Sequence, residues 1–140
     1  MEDKLGFEVV LQEPYEQALD TVTAALKTQG FGVLTRIDVR ATMKEKLDVD
    51  FRPYAILGAC NPPLAHRALR HVPEVGLLLP CNVTVEAVEP GKTLVRLANP
   101  NLMAQWINRP DDEEMVAVAA EAGEKIRRVA ELLESQAVRS

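Results

Sequence analysis

The chain has 140 residues, 47% of them hydrophobic, enough for one domain spanning residues 1–140 to bury a core of its own. A formal net charge of −5 repels phosphate backbones and a 4% aromatic content leaves few stacking platforms, so no nucleic-acid binding is expected. The longest apolar runs, Tyr54–Cys60 and Val75–Leu79, are too short to cross a bilayer, so no membrane is expected either.

Met1-Glu2-Asp3-Lys4 is acidic and leads into alternating residues rather than an apolar stretch, unlike a signal peptide, and the expected location is cytoplasmic. Phe7, Val9 and Leu11 alternate with Glu8, Val10 and Gln12, which predicts a strand packed on one face. Pro14 suits the first turn of a helix whose stripe is Tyr15, Leu19, Val22, Leu26 and Gln29, stopped by Gly30. Phe31, Val33, Ile37 and Val39 predict a second strand, and Ala41 to Asp48 a short polar helix with Met43 and Leu47 turned inward. Tyr54 to Cys60 reads as a third strand, buried on both sides or central because its apolar character is nearly unbroken. Asn61 then caps a helix with Ala65, Ala68, Leu69 and Val72 on one face and His66, Arg67, Arg70 and His71 on the other, ended by Pro73.

Leu78 to Val88 and Thr93 to Ala98 predict two strands joined by Glu89-Pro90-Gly91-Lys92, a hairpin signal. A short segment with Met103, Trp106 and Ile107 follows; Met103 and Trp106 at helical spacing suit the lining of a ligand pocket, but large apolar residues spaced this way are more often core. Pro110 and Asp111 to Glu114 open a last helix with the stripe Met115, Val118, Ala122, Ile126, Val129 and Leu133. To about Ala137 it would run ~40 Å at ~1.5 Å per residue, so it must back the sheet or meet a partner. The expected fold is therefore α+β: a two-layer, largely antiparallel (mixed) five-stranded sheet with helices packed on one face.

Two cysteines flanked by asparagine, in Ala59-Cys60-Asn61-Pro62 and Leu79-Pro80-Cys81-Asn82, are the most chemically suggestive residues. Cys60 stands before a helix N-terminus, where the macrodipole favours a thiolate and makes it a candidate nucleophile. Pro62 and Pro63 remove two first-turn N–H donors, however, leaving Leu64 and Ala65, one of which Asn61 can occupy as cap. A buried, inert Cys60 stands beside the functional one, and Cys81, in alternation with Val83 and Val85, reads as a small hydrophobe. The basic face around Arg67 reads as a solvated surface more readily than as an anion patch, and the five-residue spacing of His66 and His71 does not suit a metal. Glu86 and Glu89 alternate with valines as solvent-facing strand residues. No metal site is expected and no cofactor can be read from these residues.

Tyr54-Ala55-Ile56-Leu57-Gly58-Ala59-Cys60-Asn61-Pro62 and Leu79-Pro80-Cys81-Asn82-Val83 resemble the prokaryotic family known as domain of unknown function 302. Thr42-Met43-Lys44-Glu45-Lys46-Leu47, Leu64-Ala65 and Asn99-Pro100 with Met103 extend the resemblance over about Phe31 to Met103. It implies a two-layer α+β domain with a largely antiparallel sheet that forms homodimers, and it supplies no activity. Pro63 and Asn99 depart from the pattern; Asn99 stands where an Asp is expected, which weakens any acid–base role transferred there.

These readings converge on a cytosolic homodimeric domain that binds a small polar ligand at a rim formed by Cys60, Asn61, Cys81, Asn82 and Asn99, since amides recognise polar groups without charge. A thiol-dependent enzyme or redox carrier using Cys60, and a purely structural dimerisation module, are the alternatives. The shared rim requires the strands at Cys60 and Cys81 to be antiparallel neighbours, as the hairpin and the resemblance favour. A parallel crossover would separate the sulfurs by roughly 23 Å, and the intervening segment is long enough for either.

Overall fold

Alternating apolar residues build the strands of the computed structural model, which describes residues 4–107 and 111–139. In chain order the elements are β1 (Gly6–Leu11), α1 (Tyr15–Lys27), β2 (Gly32–Asp38), α2 (Val39–Leu47), β3 (Tyr54–Cys60), α3 (Pro62–His71), a 3₁₀ helix (Pro73–Leu78), β4 (Cys81–Glu89), β5 (Lys92–Ala98), α4 (Leu102–Trp106) and α5 (Glu113–Arg139). Local chemistry sets several boundaries. Asp38 caps α2 by accepting from the Ala41 N–H at 2.9 Å, and Asp112 accepts from the Met115 N–H at 3.1 Å at the start of α5. The fourth strand starts at Cys81 rather than at Leu78, because Pro73 continues directly into the 3₁₀ turn. Pro110, expected to open the last helix, lies outside the described residues.

The sheet order is β1-β5-β4-β3-β2 and every pairing is antiparallel, so the expected largely antiparallel sheet carries no parallel pair among the described strands. The central strand is β4, not β3. On one face, Val9, Leu11, Ala55, Leu57, Ala59, Val83, Val85, Val95 and Leu97 pack against Leu19, Val22 and Leu26 of α1 and Ile126, Val129 and Leu133 of α5. Both long helices thus lie on one sheet face through the stripes read from their sequences. A second apolar cluster joins Leu64, Ala68 and Val72 of α3 to Val75, Met103, and Met115, Val118 and Ala122 of α5.

Three side chains differ from expectation. Leu47 is 65% exposed and α2 buries no residue, since it makes few contacts beyond β3. Trp106 is 72% exposed, and of the described side chains of the five-residue α4 it is Met103 that is buried. Glu86 is buried rather than solvent-facing, as described below. Of Ala119, Ala120 and Gly123, small residues that would suit close approach of a partner to α5, Ala119 and Gly123 are buried within the chain and Ala120 is exposed; a Cβ at Gly123 would come within 2.5 Å of the Asn101 amide nitrogen. Among the described residues no helix is long and apolar enough to cross a membrane.

Candidate functional site

Where the two apolar clusters meet, at the end of the sheet carrying both cysteines, they leave a cavity of about 310 Å³. Phe31 and Ala59 reach it from the main core, and Leu64, Ala68, Met103, Val118 and Ala122 from the second cluster. The walls are almost entirely apolar, and the residues with polar atoms at them are Thr35, Cys60, Asn61 and Cys81. Leu34, 68% exposed, and Leu69, 39% exposed, stand at the open side. The void follows from construction: the sheet ends at Cys60 and Cys81, and the α3 roof that continues beyond it carries alanines at 65 and 68 where larger side chains would close the gap.

The antiparallel β3–β4 register pairs Ala59 with Cys81, which brings both cysteines to the same sheet end and both to this cavity. Both thiols are free. Burial, with a contribution from neighbouring Cys60, pushes the Cys81 thiol from the ordinary 9.0 up to about 11, so it stays protonated at neutral pH. Neither sulfur hydrogen-bonds a histidine among the described residues; His71 is held instead by Asp112, with Nε2 2.7 Å from Oδ1.

Asn61 also lines the cavity, yet its amide is already committed. Its oxygen accepts from the Leu64 N–H at 3.4 Å and its nitrogen donates to the Gln29 carbonyl at 3.0 Å, tying the end of α1 to the start of α3. Gly30 makes the tie possible: its φ is +82°, and a Cβ there would lie 3.0 Å from the Asn61 nitrogen. The Ala65 N–H donates to the Asn61 carbonyl at 2.9 Å, so both donors left free by the two prolines are used internally and no anion seat remains at this helix start. Asn99 is buried away from the cavity, its nitrogen donating to the Lys4 carbonyl at 3.1 Å and its oxygen accepting from the Asn101 N–H at 3.1 Å. Asn82 is exposed and does not line the cavity. Of the five expected rim residues, three therefore meet.

The remaining polar clusters are structural ties. Arg67 reaches Glu114 and Glu121 of α5, each at 3.3 Å, which binds the roof to the last helix rather than forming an anion patch. Glu86 lies on the sheet face opposite the helices, held by Arg52 at 2.5 Å and by Arg96. Burial alone would raise its carboxyl, but hydrogen bonds and charge from the two arginines outweigh it and hold the group below the usual value. The burial of Glu86 could not be read from its alternation with valines, since it depends on Arg52, which lies 34 residues away in sequence. Among the described residues no group of three or more His, Cys, Asp or Glu is placed to hold a metal ion. Of the cavity walls, Ala65, Ala68, Leu69 and Val118 show in the sequence only as members of apolar stripes, and Thr35 carries no signal there.

A family model described as Domain of unknown function DUF302 matches residues 7–133. The chain is also similar to an uncharacterized conserved protein DUF302 from Bacillus stearothermophilus, whose crystal structure superposes with a TM-score of 0.79 at 28% identity over 91% of this chain and 96% of that one. No curated protein matches the chain.

Proposed function

The chain belongs to the DUF302 family, and on that footing we propose that it is a one-domain, non-enzymatic binding protein whose small ligand occupies the cavity between the two apolar clusters. The observation that carries this reading is an open cavity of about 310 Å³ onto which both cysteines converge, within the size range of ligand pockets. The walls revise the ligand's character. A polar ligand would lose its hydration there without regaining hydrogen bonds, at a cost of roughly 1–3 kcal/mol per group, and the Asn61 amide already has its partners. The ligand is therefore chiefly apolar, with Cys60, Cys81 and Thr35 meeting whatever weakly polar end it carries.

A thiol-dependent activity is the weaker reading, since the Cys81 thiol is held protonated and neither sulfur has a histidine as base. A purely structural module would be expected to fill this space. We further take the protein to be a cytoplasmic homodimer, in keeping with its two free thiols and with the resemblance described above.

Titration with 1-octanol, followed by methyl-region NMR, tests the ligand site. Wild type is expected to show saturable shifts at Leu64, Val118 and Met103, and Ala122→Leu, which fills the space, to abolish them. Equal binding by the two proteins, or shifts confined to the outer surface, would reject the cavity as the ligand site.

A further inference from the structure

The sheet has a second face, and neither apolar cluster includes a residue from it. The strand registers lay its side chains out in rows. Glu8, Arg96, Thr84, Ile56 and Ile37 form one row across all five strands, and Val10, Leu94, Glu86 and Tyr54 form the next across four. Val10 is 43% exposed and Ile37 50%, so large apolar groups face outward at opposite margins of the face. Between them runs a chain of alternating charge, Glu8 to Arg96 to Glu86 to Arg52, with the Arg52 guanidinium stacked 4.6 Å from the Phe51 ring.

From this we infer that the uncovered sheet face is the surface through which two copies of this chain associate, an inference that rests on the homodimer proposed above and adds its location. Charge argues for a second copy as the occupant. The chain carries a net −5, so most of its surface repels a like molecule, whereas this face sets two carboxylates against two guanidiniums and is neutral. A two-fold interface must also complement itself, and a patch that carries both signs beside apolar margins can set Arg52 and Arg96 of one copy near the exposed Glu8 of the other, Glu86 being buried and held by both arginines. Size agrees as well: five strands at ~4.8 Å spacing and about seven residues at ~3.3 Å give a footprint of roughly 550 Å² before side-chain relief is added, against ~800 Å² of accessible surface per partner in a standard interface.

Sedimentation equilibrium on the full chain tests the location. Wild type is expected near 31 kDa, twice the 15.5 kDa of one chain. Ile37→Lys and Glu8→Arg are expected to raise the dimer dissociation constant about tenfold or more, while Leu77→Lys, at a site 89% exposed on the 3₁₀ turn, leaves it unchanged. Far-UV circular dichroism checks folding; should Ile37→Lys not fold, Glu8→Arg decides alone, because its side chain is 62% exposed and supports no core. A wild-type dimer that both face variants preserve would overturn the sheet-face location and leave the homodimer standing. A wild-type monomer at 100 µM would overturn both.

Discussion

The two apolar clusters are built from the same residue types but closed differently. The main core lies between a five-stranded sheet and two helices of 13 and 27 residues, and its central side chains, such as Val22, Leu26, Val85 and Ile126, are fully enclosed. The second cluster has no sheet beneath it and is assembled from the ten-residue α3, the 3₁₀ turn, the five-residue α4 and the first part of α5. A sheet and long helices present continuous surfaces that interdigitate to crystal-like density, whereas short elements meeting at angles leave gaps. The cavity sits on that seam. The two regions teach that a candidate ligand site can arise where a well-filled core ends, without any catalytic motif to mark it.

That contrast can be broken most sharply by truncation. Ile126→Ala and Leu26→Ala should each destabilise the protein by roughly 2–5 kcal/mol, and Leu64→Ala, beside the existing void, should fall near the lower end of that range. Urea unfolding measures all three, and an equal loss for Leu64→Ala would show the second cluster to be as tightly closed as the first. The thiol at the seam comes next. A folded-state value raised from 9.0 to about 11 means that the Cys81 contribution is fully present below pH 9 and is lost as pH climbs through about 11. At ~1.36 kcal/mol per pH unit the difference between wild type and Cys81→Ala should shrink by roughly 2–3 kcal/mol over that window; a pH-independent difference would place Cys81 in contact with water.

Ala122→Leu sharpens the contrast from the other side. Inserting a large side chain into a packed core costs about 1–3 kcal/mol, but here it enters open space, so the melting temperature should change little or rise. A marked fall would mean that the cavity is not available to side chains. The smallest effect belongs to Cys60→Ala, which removes the secondary influence on Cys81. Thiolate absorbance at 240 nm should show the Cys81 midpoint moving below about 11 while staying above 9.0, because burial is the larger cause. A return to 9.0 would make the neighbouring sulfur, not burial, the main cause.

Much of the scaffold was legible because its cause is local. The stripes of α1 and α5 follow from helical spacing and the Glu89 to Lys92 turn marks the β4–β5 hairpin. The placing of Cys60 and Cys81 at one sheet end was only favoured, by that hairpin and the family resemblance, and rests on the antiparallel β3–β4 register. Apart from Met103, whose spacing with Trp106 suits a pocket lining, the cavity was not legible, because Phe31, Ala59, Leu64 and Val118 come from separate segments and each is ordinary where it stands. The asparagines misled for a related reason. An amide beside a cysteine suggests recognition, whereas Asn61 and Asn99 spend their hydrogen bonds joining segments far apart in sequence, Gln29 and Lys4 respectively. Trp106 was read as core from spacing alone, but a helix of five residues is too short for spacing to fix a buried face.

Helix α5 belongs to both clusters, with Met115, Val118 and Ala122 in one and Ile126, Val129 and Leu133 in the other. Neither cluster can come apart fully without exposing part of the same rod, so the molecule should lose its structure in a single cooperative step rather than peel open at the weaker end. A guest at the seam then stabilises the entire protein. At a hundredfold excess over its dissociation constant it would add about 2.7 kcal/mol to the global unfolding free energy. The fold thus acts as its own thermometer for an unidentified guest: a compound library can be ranked by the upward displacement of one melting curve, with no knowledge of what the guest does.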